Sequence, residues 1–320
     1  MTDAVSPETA PGVTTRAPRS THHSGLIFGG FAYALWGGLP LFFLLLTPSG
    51  AFEIVAWRVL FSLVFCALII TVTRTWTVLG RALRQPRLVW IMGLAGVFIF
   101  INWQTYVIAA TTGHVVEAAL GYFINPIVTV LLGVFVLRER LRRLQWVAIG
   151  ISFLAVVVLA VGYGSLPWIS LILAFSFGFY GLIKKRVGPS VDAVTGLTLE
   201  TAWLAPVAVV QLIVVSGMSG LTFGTVSPWH TVGLLATGVV TAVPLLLFAA
   251  AARRLPLTVL GLIQFVAPIL QFLVGVFILN EGMPFERWVG FGLVWVALII
   301  LTLDMVASGR APRRGALEPA

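Results

Sequence analysis

Residues Glu117–Gly150 read EAALGYFINPIVTVLLGVFVLRERLRRLQWVAIG, and Val259–Gly292 read VLGLIQFVAPILQFLVGVFILNEGMPFERWVGFG. Moving the first stretch by 142 positions lays it on the second without a gap, with Pro126 on Pro268, Gly133 on Gly275, Phe135 on Phe277, Glu139 on Glu281, Trp146 on Trp288 and Gly150 on Gly292. Over the wider window, 106–159 against 248–301, 17 of 54 positions are identical. Apolar sequence produces chance matches among Leu, Val and Ala, but not Pro, Trp and Glu at one shared offset. The same shift sets Arg58 against Glu200 and brings Gly38 close to Gly181. The chain is a duplication.

Composition says where the duplicated unit lives. Of 320 residues, 59% are hydrophobic and 10% charged, with mean hydropathy +1.04. Soluble domains carry roughly 25% charge, and no water-facing surface can be assembled from this mixture. Apolar runs fall at about 25–46, 53–73, 88–110, 115–137, 144–162, 167–183, 193–215, 230–252, 257–279 and 287–306. Each is near the roughly 20 residues that a helix needs to cross the hydrocarbon core. They are too long and too evenly apolar for barrel strands, so they must satisfy their backbones as helices. Five spans per copy is an odd number, so the second copy enters the membrane from the opposite side. The expected fold is an all-α integral membrane protein of ten transmembrane helices in two inverted-topology five-helix repeats. The first repeat takes 25–164 and the second 165–306. A polar tail rich in Pro, Thr and Ser over 1–24 reads as disordered, and 307–320 forms a basic tail.

Orientation follows from Lys and Arg, which concentrate in cytoplasmic loops. With the N-terminus inside and ten spans, 18 of the 20 basic residues fall on one side, among them Arg81, Arg84, Arg138, Arg143, Lys184, Arg186, Arg253 and Arg254. The exceptions are Arg58, inside the second run, and Arg287, at an outer edge. The expected location is the bacterial inner membrane (the plasma membrane), multi-pass, with both termini cytoplasmic. The formal net charge of +9 is spread between spans and makes no basic surface open to water, so nucleic acid is excluded as a partner. The expected partners are the lipid bilayer and a small-molecule substrate, and a homodimer is compatible with this reading. Cys66 is the single cysteine, which excludes an intrachain disulfide and a cysteine metal site. His22 and His23 adjoin without further ligands. No cofactor, metal or catalytic residue is expected, and no nucleotide-binding motif is present.

Several stretches carry a family resemblance: AYALWGGLP (Ala32–Pro40), EIVAWR (Glu53–Arg58), GHVVEAALGYFINP (Gly113–Pro126), RERLRRLQW (Arg138–Trp146), TGLTLET (Thr195–Thr201) and FAAAARRLPL (Phe248–Leu257). The chain resembles the RarD group of the EamA family, in the drug/metabolite transporter superfamily, over about residues 25–306. The resemblance implies a ten-helix inner-membrane permease. Members usually carry His-Arg where this chain has Trp57-Arg58, and a lysine in the first helix where it has Leu44.

Polar and ionisable groups within spans are the functional candidates, because each costs roughly 2.5–3.5 kcal/mol to place at the membrane centre on insertion scales. Arg58, His114 and Glu117 fall toward the outer side and read either as a gate or anchoring cluster or as snorkelling and structural pairing. Glu200 enters from the cytoplasmic side. Depth argues against a pair with Arg58 and for a basic partner such as Lys184, Lys185, Arg253 or Arg254, with proton coupling as the other reading. A central stripe is the expected substrate pathway. Tyr122, Pro126 and Thr129 share one helix face, since positions seven apart differ by about 20°, and the repeat puts Gln264, Pro268 and Gln271 on the matching face. Asn125 adjoins, and Asn102 and Tyr106 lie one turn apart on the third span. Helix–helix glue is the competing reading for such residues.

Inverted repeats are characteristic of secondary transporters, and the leading expectation is a permease for a small organic drug or metabolite working by alternating access. The alternative is a membrane-embedded enzyme or lipid-handling protein, which would gather His, Asp or Ser at one membrane face. A channel would show a charged ring or filter loop. A reporter active only in the cytoplasm is expected to work when fused after Arg143 or Arg186 and to be silent in the 216–229 loop. Activity from the last fusion would break the span count or the orientation.

Overall fold

A computed structural model of the chain describes residues 19–137, 141–187, 191–252, 254–255, 259 and 263–310. Helices run α1 (Arg19–Leu44), α2 (Ala51–Thr73), α3 (Trp76–Leu83), α4 (Pro86–Thr111), α5 (Val115–Leu137) and α6 (Arg143–Tyr163) in the first half. The second half holds α7 (Trp168–Val187), α8 (Ala193–Met218), α9 (Pro228–Ala252), α10 (Val266–Leu273), a π-helical turn (Val274–Ile278) and α11 (Phe285–Arg310). No strand occurs among the described residues. Eight helices are long and apolar enough to cross a bilayer, and Trp168–Lys184 and Val266–Ile278 are shorter apolar helices. These ten correspond one to one with the ten apolar runs. Phe135, Val161, Met218 and Trp229 are among the many large apolar side chains facing outward, a surface that lipid tolerates and water does not.

Three local features differ from the sequence expectation. Helix α1 begins at Arg19, six residues before the expected span. The basic segment after α2 folds into the extra helix α3, which buries Leu79 and Ala82. Pro126 lies inside α5, but Pro268 sits in the first turn of α10, where proline displaces no helical hydrogen bond. The two prolines therefore match in sequence without both bending a helix midway. Glu139, Arg138, Arg140 and Arg253 lie outside the described residues, as does the 1–18 part of the tail.

Packing between the halves repeats the sequence offset. Helix α1 packs on α9 and α10, and its counterpart α7 packs on α4 and α5. Helix α2 packs on α9, and its counterpart α8 packs on α4. The pairs α2–α8, α5–α10 and α6–α11 each join a helix to its own counterpart. Exchanging the halves maps this set of contacts onto itself.

Two glycines at the 142-residue offset make two of these crossings tight. A Cβ at Gly96 of α4 would stand 3.2 Å from the Glu200 carbonyl oxygen on α8. A Cβ at Gly238 of α9 would collide with the Phe61 carbonyl on α2. Small residues let membrane helices approach backbone to backbone, where dispersion contacts replace the missing hydrophobic drive. Both crossings lie beside the paired positions Glu200 and Arg58, each the eighth residue of its helix. A Cβ at Gly292 would meet no atom within 4 Å, so that position serves as a control. Gly238→Ala is expected to lower the thermal unfolding temperature in detergent by several degrees, whereas Gly292→Ala leaves it unchanged or raises it slightly, as Ala does in a helix. Equal behaviour of the two variants would show that the α2–α9 crossing is not tight.

Candidate functional site

At eight residues into α2, Arg58 lies roughly 10 Å below the helix end at 1.5 Å per residue. It is 4% exposed. Its Nε donates to Thr241 Oγ1 on α9 at 2.8 Å, and that hydroxyl in turn donates to the Thr237 carbonyl. The guanidinium carbon stands 4.2 Å from the centre of the Trp103 ring and 5.7 Å from that of Phe43. Its Nη1 has no hydrogen-bond partner. No carboxylate among the described residues is within ion-pair distance of it. Aromatic faces attract a cation most when it is desolvated, by about 2 kcal/mol, which offsets only part of the cost of burial.

Around Arg58 the structure gathers four of the residues read as a pathway. The Tyr106 and Tyr122 rings meet edge to face at 5.7 Å. Tyr122 donates its hydroxyl to Asn102 Oδ1 at 2.9 Å, and Asn102 Nδ2 reaches the Leu173 carbonyl and Ser176 Oγ of α7, both at 3.2 Å. Gln271 of α10 donates to the Trp36 carbonyl of α1 at 3.1 Å. Its amide oxygen and the neighbouring Tyr106 hydroxyl are buried and lack a well-formed partner. The cluster therefore draws on both halves, and α2 supplies its cation. The sequence reading placed Arg58 in an outer gate or anchoring cluster and not in this pathway.

The remaining candidates lie apart from it. Asn125 is buried, its Oδ1 unpartnered and turned toward Gly178 of α7. Thr129 is exposed and returns its hydroxyl to the Asn125 carbonyl of its own helix, so it is not the counterpart of buried Gln271 that the repeat implies. Pro126, which removes a helical hydrogen bond, lies between Tyr122 and Thr129. Gln264 is half-buried in the turn before α10. Glu200 is buried and paired with Lys184 Nζ at 2.8 Å, with the Tyr180 hydroxyl at 3.4 Å, which is the basic partner from a neighbouring helix end that its depth suggested.

His114 and Glu117 do not join Arg58, which corrects the expected single cluster. Depth along a helix fixes height but not direction around the axis, and Arg58 turns inward to Trp103. His114 is exposed beside Thr112. Glu117 accepts the Ile169 N–H at 3.2 Å, while the Ser170 hydroxyl donates to the Glu117 carbonyl at 2.6 Å. Both residues line a cavity of about 250 Å³ with Trp168, Leu159, Arg287 and Phe291.

Glu117 is one of three carboxylates that tie the halves together on the face opposite the basic loops. Glu281 takes the Val115 and Val116 N–H groups at 2.6 and 2.8 Å, capping α5. Both groups are orphan donors at a helix start, where a carboxylate is favoured by charge as well as by hydrogen bonding. Glu53 accepts from the backbone N–H groups of Thr222 and Phe223, from the Thr222 hydroxyl and from Trp57 Nε1. Trp57 then packs on Phe223 at 4.5 Å and stacks on Phe61 at 5.2 Å. His230 reaches Ser49 Oγ and the Leu46 carbonyl, and Ser49 Oγ lies 2.5 Å from Thr222 Oγ1. A carbonyl only accepts, so Nε2 carries the proton of the neutral ring. Glu53, Glu281, His230 and Thr241 were not singled out as site residues in the sequence; the repeat pair Glu139/Glu281 and the EIVAWR stretch that opens on Glu53 were the signals touching any of them.

No group of three or more His, Cys, Asp or Glu suited to a metal ion occurs among the described residues. What the geometry defines is a membrane protein with a buried, aromatic-walled polar cluster between two matched halves. Comparison with known proteins agrees: residues 23–161 match the EamA-like transporter family. Protein RarD of Streptomyces exfoliatus is 49% identical, covering 91% of each chain. Protein RarD of Escherichia coli is 39% identical over 89% of this chain and 96% of that one. An uncharacterized transporter of Bacillus subtilis, YojE, is 38% identical over 90% and 97%. One solved crystal structure superposes with a TM-score of 0.57 at 20% identity, over 90% of this chain and 99% of the other, which supports the fold. The chain belongs to the EamA-like transporter family, within its RarD group.

The Lys184–Glu200 pair gives a stability test. Breaking a fully buried pair by removing one partner costs about 3–5 kcal/mol, and the 32% exposure of the Lys184 side chain reduces that to ~2 kcal/mol. Lys184→Met is expected to lose about that much in detergent unfolding, with Glu200→Gln in the same chain restoring most of it. Additive losses in the double variant would show that the two residues are not coupled.

Proposed function

We propose that the chain is a secondary permease, without catalytic activity of its own, that carries a small organic solute between its two halves by alternating access. The observation that carries this reading is the cluster of Arg58, Tyr106, Tyr122, Thr241 and Gln271. It is built from both halves, walled by aromatic rings, and retains unpartnered buried polar atoms. A buried polar atom without a partner costs about 1–3 kcal/mol, and a protein that retains several at the junction of two matched bundles has a use for them. A solute bound there would touch both halves at once, which alternating access requires. The transporter names of the relatives support the same class.

With basic loops and both termini in the cytoplasm of a bacterial cell, the face bearing Glu53, Glu117 and Glu281 looks outward. These carboxylates then act as an outer latch, and the conformation is one closed to the outside. Opening exchanges their backbone N–H contacts for water, while the glycine crossings beside Arg58 and Glu200 remain as pivots. A single copy contains every group the cycle uses.

Purified protein in proteoliposomes is expected to take up or exchange members of a radiolabelled pool of metabolites and drugs, tested with and without a pH gradient. A cysteine at Gln271, in a Cys66→Ala background, is expected to react with small water-soluble thiol reagents in one state and to be protected by a transported solute. Glu53→Gln is expected to increase that labelling from the outside by loosening the latch. No flux above empty vesicles, together with a Gln271→Cys thiol inert in every state, would overturn the permease reading.

A further inference from the structure

Arg58 is a cation held ready for an anion that the protein does not supply. The position matching it in the other half is Glu200, and that carboxylate already has its cation in Lys184. Glu53, one turn and a residue before Arg58 on α2, is committed to the 219–227 loop and to Trp57 by four hydrogen bonds. The guanidinium is fixed from two directions, by Thr241 at Nε and by the face of Trp103, and Nη1 is left without a partner. A planar, pre-positioned guanidinium is suited to meet a planar oxyanion through parallel hydrogen bonds. Fixing it in advance lowers the ordering cost of binding.

We infer that the transported solute carries a single carboxylate, which pairs with Arg58 at the centre of the protein, with an apolar body among Phe43, Trp103, Tyr106 and Tyr122. This rests on the permease reading and specifies its substrate class. One negative charge is favoured over two. Arg58 is surrounded by the Thr241 hydroxyl and the rings of Trp103 and Phe43, with no second cation among these neighbours, so a phosphate dianion would leave a buried charge uncompensated. The Tyr106 hydroxyl, which lies beside the Gln271 side chain in this conformation, offers a second donor to the carboxylate on turning, and the Gln271 amide oxygen is then left to accept from an N–H or O–H near it. The ring walls suit an aliphatic or aromatic remainder and leave a strongly hydrated solute poorly solvated.

The test compares acids with their own amides. Thermal unfolding of the full chain in detergent is followed with phenylacetate, indole-3-acetate, 4-methyl-2-oxopentanoate, leucine and phenylalanine, each against its amide, and with chloride. At least one acid is expected to raise the unfolding temperature by about 2–4 °C or more at saturating concentration, with its amide silent. Arg58→Met is expected to abolish that shift, and Arg58→Lys to weaken it by tenfold or more in concentration. Amides as effective as their acids, chloride alone stabilising, or no stabilising acid would each overturn the inference. A second measurement separates site from scaffold. If Arg58 awaits an anion, ligand-free Arg58→Met unfolds at or above the wild-type temperature; if it is a structural anchor, that variant unfolds lower and the inference falls. Flux of neutral or cationic solutes that survives Arg58→Met would overturn the carboxylate while leaving the permease standing, whereas absence of all flux would strike the permease reading itself.

Discussion

A polar group in the hydrocarbon core has no water to turn to, and each must find its partner within the protein or remain unsatisfied at a cost of several kcal/mol. The three carboxylates opposite the basic loops illustrate the favourable solution. Glu281 and Glu53 accept backbone N–H groups that helix starts and a tight loop would otherwise leave bare. Glu117 does the same for Ile169. Each contact crosses from one half to the other. The requirement to satisfy backbone donors is thereby met with contacts that also close one face of the protein.

The same constraint gives Arg58 its meaning. Many buried polar groups of the spans are spoken for: Asn102 bridges Tyr122 to α7, Glu200 holds Lys184, and Thr201, Thr237 and Thr241 return their hydroxyls to helix carbonyls. Unpartnered atoms recur around the guanidinium, at Nη1 itself, at the Tyr106 hydroxyl and at the Gln271 amide oxygen. What sets Arg58 apart is that its unpartnered atom belongs to a buried cation, and departures of that kind generally fall where a protein works. Duplication sharpens the contrast, because the two halves use equivalent positions differently: Glu200 is neutralised within its own half, while Arg58 is not.

The sequence revealed much of the architecture because span length, charge asymmetry and the 142-residue offset are one-dimensional signals. Runs of about 20 apolar residues can satisfy their backbones in lipid only as helices, and so the ten runs and the ten helices agree. Asn102, Tyr106 and Tyr122 were legible because spacing by one turn keeps side chains on one face of a helix. The direction a face takes toward other helices was not legible. Arg58 could be given a depth from its place in α2, but not the turn that sends it to Trp103 instead of Glu117. Thr129 and Gln271 match in the alignment of halves, yet one is exposed and the other buried; Pro126 lies in the middle of α5 whereas Pro268 opens α10, so the two stretches are not built alike. Helix α3 escaped notice because a short segment with polar and basic positions resembles a loop until Leu79 and Ala82 are seen to pack.

Under the proposed alternating access, the two glycine crossings would link closure to the site. The α2–α9 crossing at Gly238 falls one turn from Arg58 and one turn before Thr241, the residue that receives its Nε hydrogen bond. The α4–α8 crossing at Gly96 falls on the backbone of Glu200 itself. Glycines at both points let the helix backbones approach closely, as small residues do in membrane helix packing. In the proposed cycle, a rotation that releases the carboxylate-held face would displace Arg58 little, because it lies one turn from a tight crossing, and would move the rim residues most. The cation would keep its contacts to Thr241 and Trp103 while Trp57 and Phe223 separate above it. A site that holds its ligand through an unchanged anchor while the surrounding walls exchange is the arrangement in which binding energy is conserved across the two conformations, so that neither is trapped.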